Sequence, residues 1–304
     1  MKTRLLAARL FVALAASAFV FASCDDDDDP DVVFGYGSGS STTPSSSANA
    51  QYTSRLEVPA LKEGNLFLQH STLEGSDSVM TYSLEYDKTK RHSRWVAFRF
   101  DEKTRPKTVA RKSYDAKPQY PCDPLVPSAY ALSDDISFNG YDHGHLCASA
   151  DRLYSREAND NTFYLTNMSP QIDNFNQNFW TAFESYVQTK GRDASFADTL
   201  YVVKGGTIDS EDNILNYVCN YTVPVPKYYY MALLKVKNNT YSAMAFLMEH
   251  KNYGNETPSN SEMAEYITSI DELESFTGID FFHNLPDRVE DVVESAVAPS
   301  AWGF

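Results

Sequence analysis

Two histidines flanking a glycine, followed by a cysteine and a run of small residues ending in Asp-Arg, make up "YDHGHLCASADR" at 141–152. His-Gly-His suits three different chemistries. It could clamp a metal ion, seat a general base that works near neutral pH, or form a polar turn. Two neighbouring ligands do not fill a zinc shell, and His70, His92, His250 and His283 offer no partner spacing, so the surroundings of the pair must decide.

Downstream, "TFYLTNMSPQIDNFNQNFWTAFE" at 162–184 supplies Asn167, Asn176 and Glu184 among aromatic and aliphatic residues that can hold them in place. Phe179, Trp180, Phe183 and Val187 fall on one helical stripe, which predicts a helix over 176–190 stopped by Gly191. Asn176 and Glu184 would then be separated by a rise of about 12 Å, too far for both to bind one ion directly unless the helix begins irregularly. A glutamate side chain leans toward the helix N-terminus, so Glu184 could instead reach the ion through water. An amide oxygen with water-mediated carboxylate contact is a hard oxygen site of the kind Mg²⁺ accepts. Asparagines before and on a helix also serve as caps, and residue types alone leave that alternative open.

Elements able to position these residues can be read on both sides. Aromatic and β-branched runs predict strands at 66–70, 80–86, 95–100, 200–204, 217–223, 228–236 and 242–248. Further helices are predicted at 261–270 and at 270–276, the latter ended by Gly278. Strands on either side of a long irregular centre, together with a helix, predict an α+β fold with a mixed, mainly antiparallel sheet.

The ordered motifs resemble the ββα-metal family of sugar-nonspecific DNA/RNA endonucleases, which includes secreted bacterial nucleases and mitochondrial endonuclease G. The family's hallmark is Asp-Arg-Gly-His, then Thr-Asn-apolar-Ser/Thr-Pro-Gln, then an Asn, Trp and Glu spaced by fours. Here Asp142, Gly144, His145, the run 166–171, Asn176, Trp180 and Glu184 match it in order, and His143 stands where the family has arginine. The likeness extends through "RWVAFRF", "LYVVKGGT", "VPKYYYMALL" and "ELESFTGIDFFHNLPD", most of the chain after residue 52.

The resemblance implies that His145 is the general base and Asn176 the direct ligand of Mg²⁺, with Mn²⁺ able to replace it. Glu184 would act through water, Asn167 would position His145 or the phosphate, and Arg111, with Arg105 as the second choice, would neutralise the phosphate. Asp142, His143 and Gly144 would support them. The implied partners are DNA and RNA, and the implied products carry 5′-phosphates. Two other readings stay open: a catalytically impaired binding module, and a phosphodiesterase acting on another substrate.

Lys2, Arg4 and Arg9, an apolar run over 10–20 and Phe21-Ala22-Ser23-Cys24 form a cleavable export leader over 1–23. The end of that leader resembles a bacterial lipobox, which implies lipidation of Cys24 and anchoring at the outer membrane, on the cell surface. Residues 24–51, first acidic and then rich in Gly and Ser, are expected to be a disordered tether before a single domain over 52–304. With Cys24 lipidated, Cys122, Cys147 and Cys219 allow at most one disulfide within the chain.

A net charge of −15 is unusual for a nucleic-acid binder. The segment 88–118, however, holds eleven Lys and Arg against Asp101, Glu102 and Asp115, and is expected to form a positive face.

Overall fold

The structure is a computed structural model that describes residues 32–35, 53–113, 115 and 117–304. The expected leader, the expected lipidation site Cys24 and most of the expected tether lie outside the described residues.

Strands in chain order are β1 (Val32–Gly35), β2 (Leu66–Glu74), β3 (Asp77–Asp87), β4 (His92–Phe100), β5 (Asp142–His145) and β6 (Met168–Gln171). They continue with β7 (Thr199–Gly206), β8 (Ile214–Val218), β9 (Val223–Pro226), β10 (Tyr228–Lys237), β11 (Thr240–Glu249) and β12 (Ile267–Thr268). The α-helices are α1 (Arg156–Asn161), α2 (Thr181–Arg192), α3 (Asn260–Met263), α4 (Ile270–Thr277) and α5 (Asp287–Ser295).

Eight strands build the central sheet in the order β1-β2-β3-β4-β7-β10-β11-β12. Every pairing in it is antiparallel except that of β1 with β2, so the mixed, mainly antiparallel α+β expectation describes the fold. Local chemistry sets the hairpins. Asn238 and Asn239 both take positive φ, 49° and 59°, and close a two-residue turn between β10 and β11.

Alternation along the strands divides the core into two layers. Leu68, Leu84, Val96, Phe98, Val202, Leu233 and Phe246 face one side and pack with α2 and its approach. Trp95, Ala97, Val203, Tyr230 and Ala245 face the other and pack with Ile270 and Leu273 of α4 and Val293 of α5. Burial on both faces explains why these strands read as nearly continuous apolar runs.

Three expectations need correction. The strand expected at 217–223 is instead a hairpin of β8 and β9, because Cys219, Asn220 and Tyr221 adopt φ of 52°, 57° and 63° and reverse the chain. The helix expected at 261–270 ends after one α-turn. Ile267 then pairs with Phe246 in the sheet, and the Ser269–Glu272 capping box starts α4 afresh. Within the expected tether, Val32–Gly35 forms an edge strand, consistent with the β-forming Val-Val-Phe sequence. Cys122, Cys147 and Cys219 are all free thiols.

Candidate active site

His145 ends β5, which pairs with β6 in a separate two-stranded ladder, His145 opposite Met168 and Gly144 opposite Ser169. A helical segment follows, so the unit is strand, strand, helix. Buried polar struts fix it to the central sheet. The Ser169 hydroxyl lies 2.7 Å from His92 Nε2 and 2.6 Å from the Tyr229 hydroxyl, and Ser93 donates to the Thr166 carbonyl at 2.6 Å. His250 accepts from the Ile172 N–H at 2.7 Å and donates through Nδ1 to the Pro226 carbonyl, anchoring the entry to the helix. These histidines are structural struts in different places and do not converge on a zinc shell.

The helix begins irregularly. Residues Phe175–Trp180 form a π-helical stretch that becomes α2 at Thr181, and Thr181 Oγ1 donates to the Asn176 carbonyl at 2.7 Å. Expanded turns of this type concentrate at functional sites. Here the irregular start allows Asn176 and Glu184 to line the same cavity, which a regular helix from residue 176 opposes. The buried stripe of Phe179, Trp180, Phe183 and Val187 is as predicted, but Gly191 lies inside the last turn and the helix runs on to Arg192.

The cavity has a volume of about 710 Å³, and its walls include Arg111, Tyr120, Asp142, His145, Asn176 and Glu184. His145 Nε2 is buried with no hydrogen-bond partner, leaving a ring nitrogen uncommitted. Burial, then the positive charge of Arg111, the neighbouring His143 and the more distant Lys204, push the imidazole down from 6.5 to about 3, so His145 is neutral. Arg111 hydrogen-bonds Ser149 Oγ at 2.5 Å and lies over the Phe163 ring, which meets His145 edge-on with centroids 5.0 Å apart. Arg105 instead binds the carbonyls of Asp101, Ala197 and Asp198, away from the cavity.

Asn176 Nδ2 donates to Asp142 Oδ2 at 2.9 Å, and Gln177 Nε2 donates to the same oxygen at 2.8 Å. That orientation leaves Asn176 Oδ1 as the atom available to a cation. Glu184 Oε1 accepts from Trp180 Nε1 at 3.0 Å and lies 3.7 Å from Lys204 Nζ. Lys204 in turn pairs with Asp151 at 3.1 Å, both side chains having no exposure. Burial pushes the Glu184 carboxyl up to about 7 against the pull of Lys204, and Asp151 adds to the rise. The burial of Lys204 opposes its charge, but Asp151 and Glu184 outweigh this and hold the ammonium above its ordinary range.

Asn167 is fully buried, and its side chain is spent on backbone. It accepts from the Cys147 N–H at 2.8 Å and donates to the Cys147 and Thr162 carbonyls. It therefore fixes the chain just after His145 and has no exposed atom for a phosphate. His143 is clamped between Tyr120 and Phe138, with ring centroids 4.2 and 4.3 Å away, and Nε2 lies 2.7 Å from the Ile136 carbonyl. Burial lowers its pKa, so it braces the wall as a neutral ring and does not supply an arginine's charge. That geometry also removes it from any His-Gly-His metal clamp.

Gly144 is required by space. A Cβ there would lie 2.0 Å from Gln171 Oε1 and 2.3 Å from its Cδ. Gly144→Ala should therefore cost about 1–3 kcal/mol through overpacking, read as a fall in Tm, with activity falling as the strand is displaced. An unchanged Tm would show that Gln171 yields freely.

Local sequence patterns do not single out Lys204, Asp151 and Tyr120 as a group. A lysine inside the apolar run "YVVKGG" is a usable signal, because a charge on a buried strand needs a partner. Tyr120 has no comparable local signal.

The expected positive face over 88–118 is thinned by pairing, since Lys90, Arg94, Arg99 and Lys103 are drawn to carboxylates of the chain, Lys90 to Glu211. Arg94 pairs with Glu85 and Asp209, Arg99 with Glu57 and Asp101, and Lys103 with Asp77. Arg111 reaches the cavity wall, and Lys112 lies beside it over Phe163.

Comparison with known proteins agrees with this architecture. Residues 62–288 match the model of the DNA/RNA non-specific endonuclease family. A nuclease of Nostoc sp. is 29% identical over 223 residues, covering 71% of this chain and 76% of that protein. The mouse mitochondrial nuclease EXOG is 29% identical over 222 residues, covering 69% of this chain and 57% of its own length. The crystal structure of an EndoG/EndoGI complex contains a chain with the same fold, at TM-score 0.60 and 22% identity, covering 81% of this chain and 95% of that one. With a strand-strand-helix unit carrying His145, Asn176 and Glu184, and a match across most of its length, the chain belongs to the DNA/RNA non-specific endonuclease family, a family of hydrolytic nucleases.

Proposed function

We propose that the protein is a divalent-cation-dependent endonuclease that hydrolyses phosphodiester bonds of DNA and RNA with little sequence preference. The observation that carries this reading is the meeting of His145, Arg111, Asn176 and Glu184 in one polar cavity.

The donor set fits Mg²⁺, or Mn²⁺ in its place. Asn176 would hold the ion through Oδ1, and Glu184 would act on it through water. When bound, the cation supplies Lewis acidity toward a phosphoryl oxygen and the leaving 3′-oxygen. His145, held neutral, accepts a proton from the attacking water. Arg111 offers its guanidinium to the charge that develops on the phosphate. Asn167 and the Tyr120–His143–Phe138 stack keep the His145 strand in register. In-line attack with departure of the 3′-oxygen leaves 5′-phosphate ends. Contacts to the backbone alone suffice for such a reaction, which is why little base preference is expected. The basic and apolar N-terminal run that ends at Cys24 supports the reading that the protein is exported and lipid-anchored at the outer membrane, with the domain on the cell surface.

Plasmid nicking titrated with Mg²⁺ tests the site. Asn176→Ala should need about 10–100-fold more Mg²⁺ than wild type, the usual penalty for weakening a metal site. A titration superimposable on wild type would remove Asn176 as the ligand. Parallel assays on DNA, RNA and a small nucleotide diester decide the substrate class, and cleavage of the diester alone would overturn the nuclease reading.

A further inference from the structure

The central sheet has a second acidic centre on the face away from the catalytic cavity. Asp271 and Glu274 lie on α4 and Glu294 on α5, and one oxygen from each lies within 4.8 Å of the others. Both helices pack on the layer of Trp95, Tyr230 and Ala245, whereas the catalytic helix packs on the opposite layer.

Acidic side chains gather on many surfaces, but Glu294 is different. It is only 5% exposed, and its Oε1 is buried without a hydrogen-bond partner. It also sits in the last turn of α5, where the helix dipole is negative and no basic residue offsets it. Glu274 Oε1 accepts from the Phe281 N–H at 2.7 Å, so the loop after α4 already holds one carboxylate in place. Three carboxylates that meet with one of them buried and unpaired need either protons or a cation to neutralise them.

Ligand chemistry favours one class of cation. Three carboxylates carried by two separate helices suit Ca²⁺, which takes about six to eight oxygens in flexible geometry, better than Mg²⁺, which demands near-ideal octahedral geometry and keeps most of its own waters. The ion would join α4 to α5 over the second core layer.

We propose that Asp271, Glu274 and Glu294 form a structural Ca²⁺ site that clamps α4 to α5, separate from the catalytic centre. Its occupancy would tune the stability of the nuclease domain without taking part in cleavage.

The test uses the full chain stripped with EDTA, with CaCl₂ as the only added cation, read by calorimetric titration and thermal unfolding. Saturating Ca²⁺ should raise Tm by a few degrees, roughly 5 °C at a hundredfold excess over Kd. Asn176→Ala should keep that rise and the titration heat, because its lesion is in the catalytic cavity. Glu294→Gln and Glu274→Gln should each weaken Ca²⁺ binding about 10–100-fold. Stripped Glu294→Gln should unfold no earlier than stripped wild type, since it removes an unpaired buried carboxyl while keeping its shape. Absence of Ca²⁺ binding in wild type, a response lost in Asn176→Ala, or undiminished binding in both glutamine variants would each overturn the proposal. None of these results depends on nuclease activity, so this site and the catalytic reading fail separately.

Discussion

His145→Ala should lower kcat for Mg²⁺-dependent plasmid cleavage by about 10²–10⁴-fold, the range that a positioned general base contributes. The folded structure should survive, because the ring's packing partners Phe163 and Tyr120 belong to separate segments with contacts of their own. The pH profile provides the sharper check. The imidazole of His145 is held well below its ordinary 6.5, so the base is ready across the neutral range and is lost only on acidification. The acid limb of kcat/KM should therefore fall below pH 6.5 in wild type and be missing from the residual activity of His145→Ala. Equal cleavage by wild type and variant would remove His145 as the base. The same sign governs stability. His92 and His250, pushed by burial down to about 4, join His145 in favouring the fold fully above pH 6.5, and that contribution drains away as the pH falls toward 4.

Lys204→Ala should be the most destabilising single change near the site. It leaves the Asp151 and Glu184 carboxylates buried without the ammonium that lies 3.1 and 3.7 Å from them. Removing one partner of a buried ion pair costs about 3–5 kcal/mol, which for a domain of this size corresponds to a Tm lower by on the order of 10 °C. Activity should fall as well, measured at a temperature where the variant is still folded, because the Glu184 carboxyl becomes harder to ionise. Lys204→Met combined with Asp151→Leu removes charge from both ends of the 3.1 Å pair and should recover part of the lost stability without recovering activity. A Tm within 2 °C of wild type for Lys204→Ala would mean that water enters and solvates the pair.

Much of this architecture was legible because short-range signals and long-range packing agree. The runs at 66–70, 95–100 and 228–236 are apolar on both sides because both faces of the sheet are covered, and they appear as β2, β4 and β10. The stripe from Phe179 to Val187 appears as a buried helical face. What escaped depends on contacts between distant segments. The pairing of Lys204 with Asp151 and Glu184 joins three elements, and no window of sequence contains it. The turn at Cys219–Tyr221 hides in a β-forming sequence, since backbone handedness leaves little trace in residue type when glycine is absent. The role of Asn167 could be placed near His145 from order alone, but only the fold shows that all its amide bonds go to backbone. The basic segment carries less free charge than its composition suggests for a related reason. Composition counts charges, but it does not record that Arg94, Arg99 and Lys103 each find a carboxylate within the molecule.

That internal use of positive charge has a consequence for how a polymer would be handled. A chain with net charge −15, in which Lys90, Arg94, Arg99 and Lys103 are held by its own carboxylates, offers a polyanion little overall attraction. Long-range attraction, the force that lets many DNA-binding proteins slide along a duplex, is weak or reversed here. On the proposed nuclease reading, turnover should therefore be distributive, with fragments diffusing away instead of being retained and trimmed.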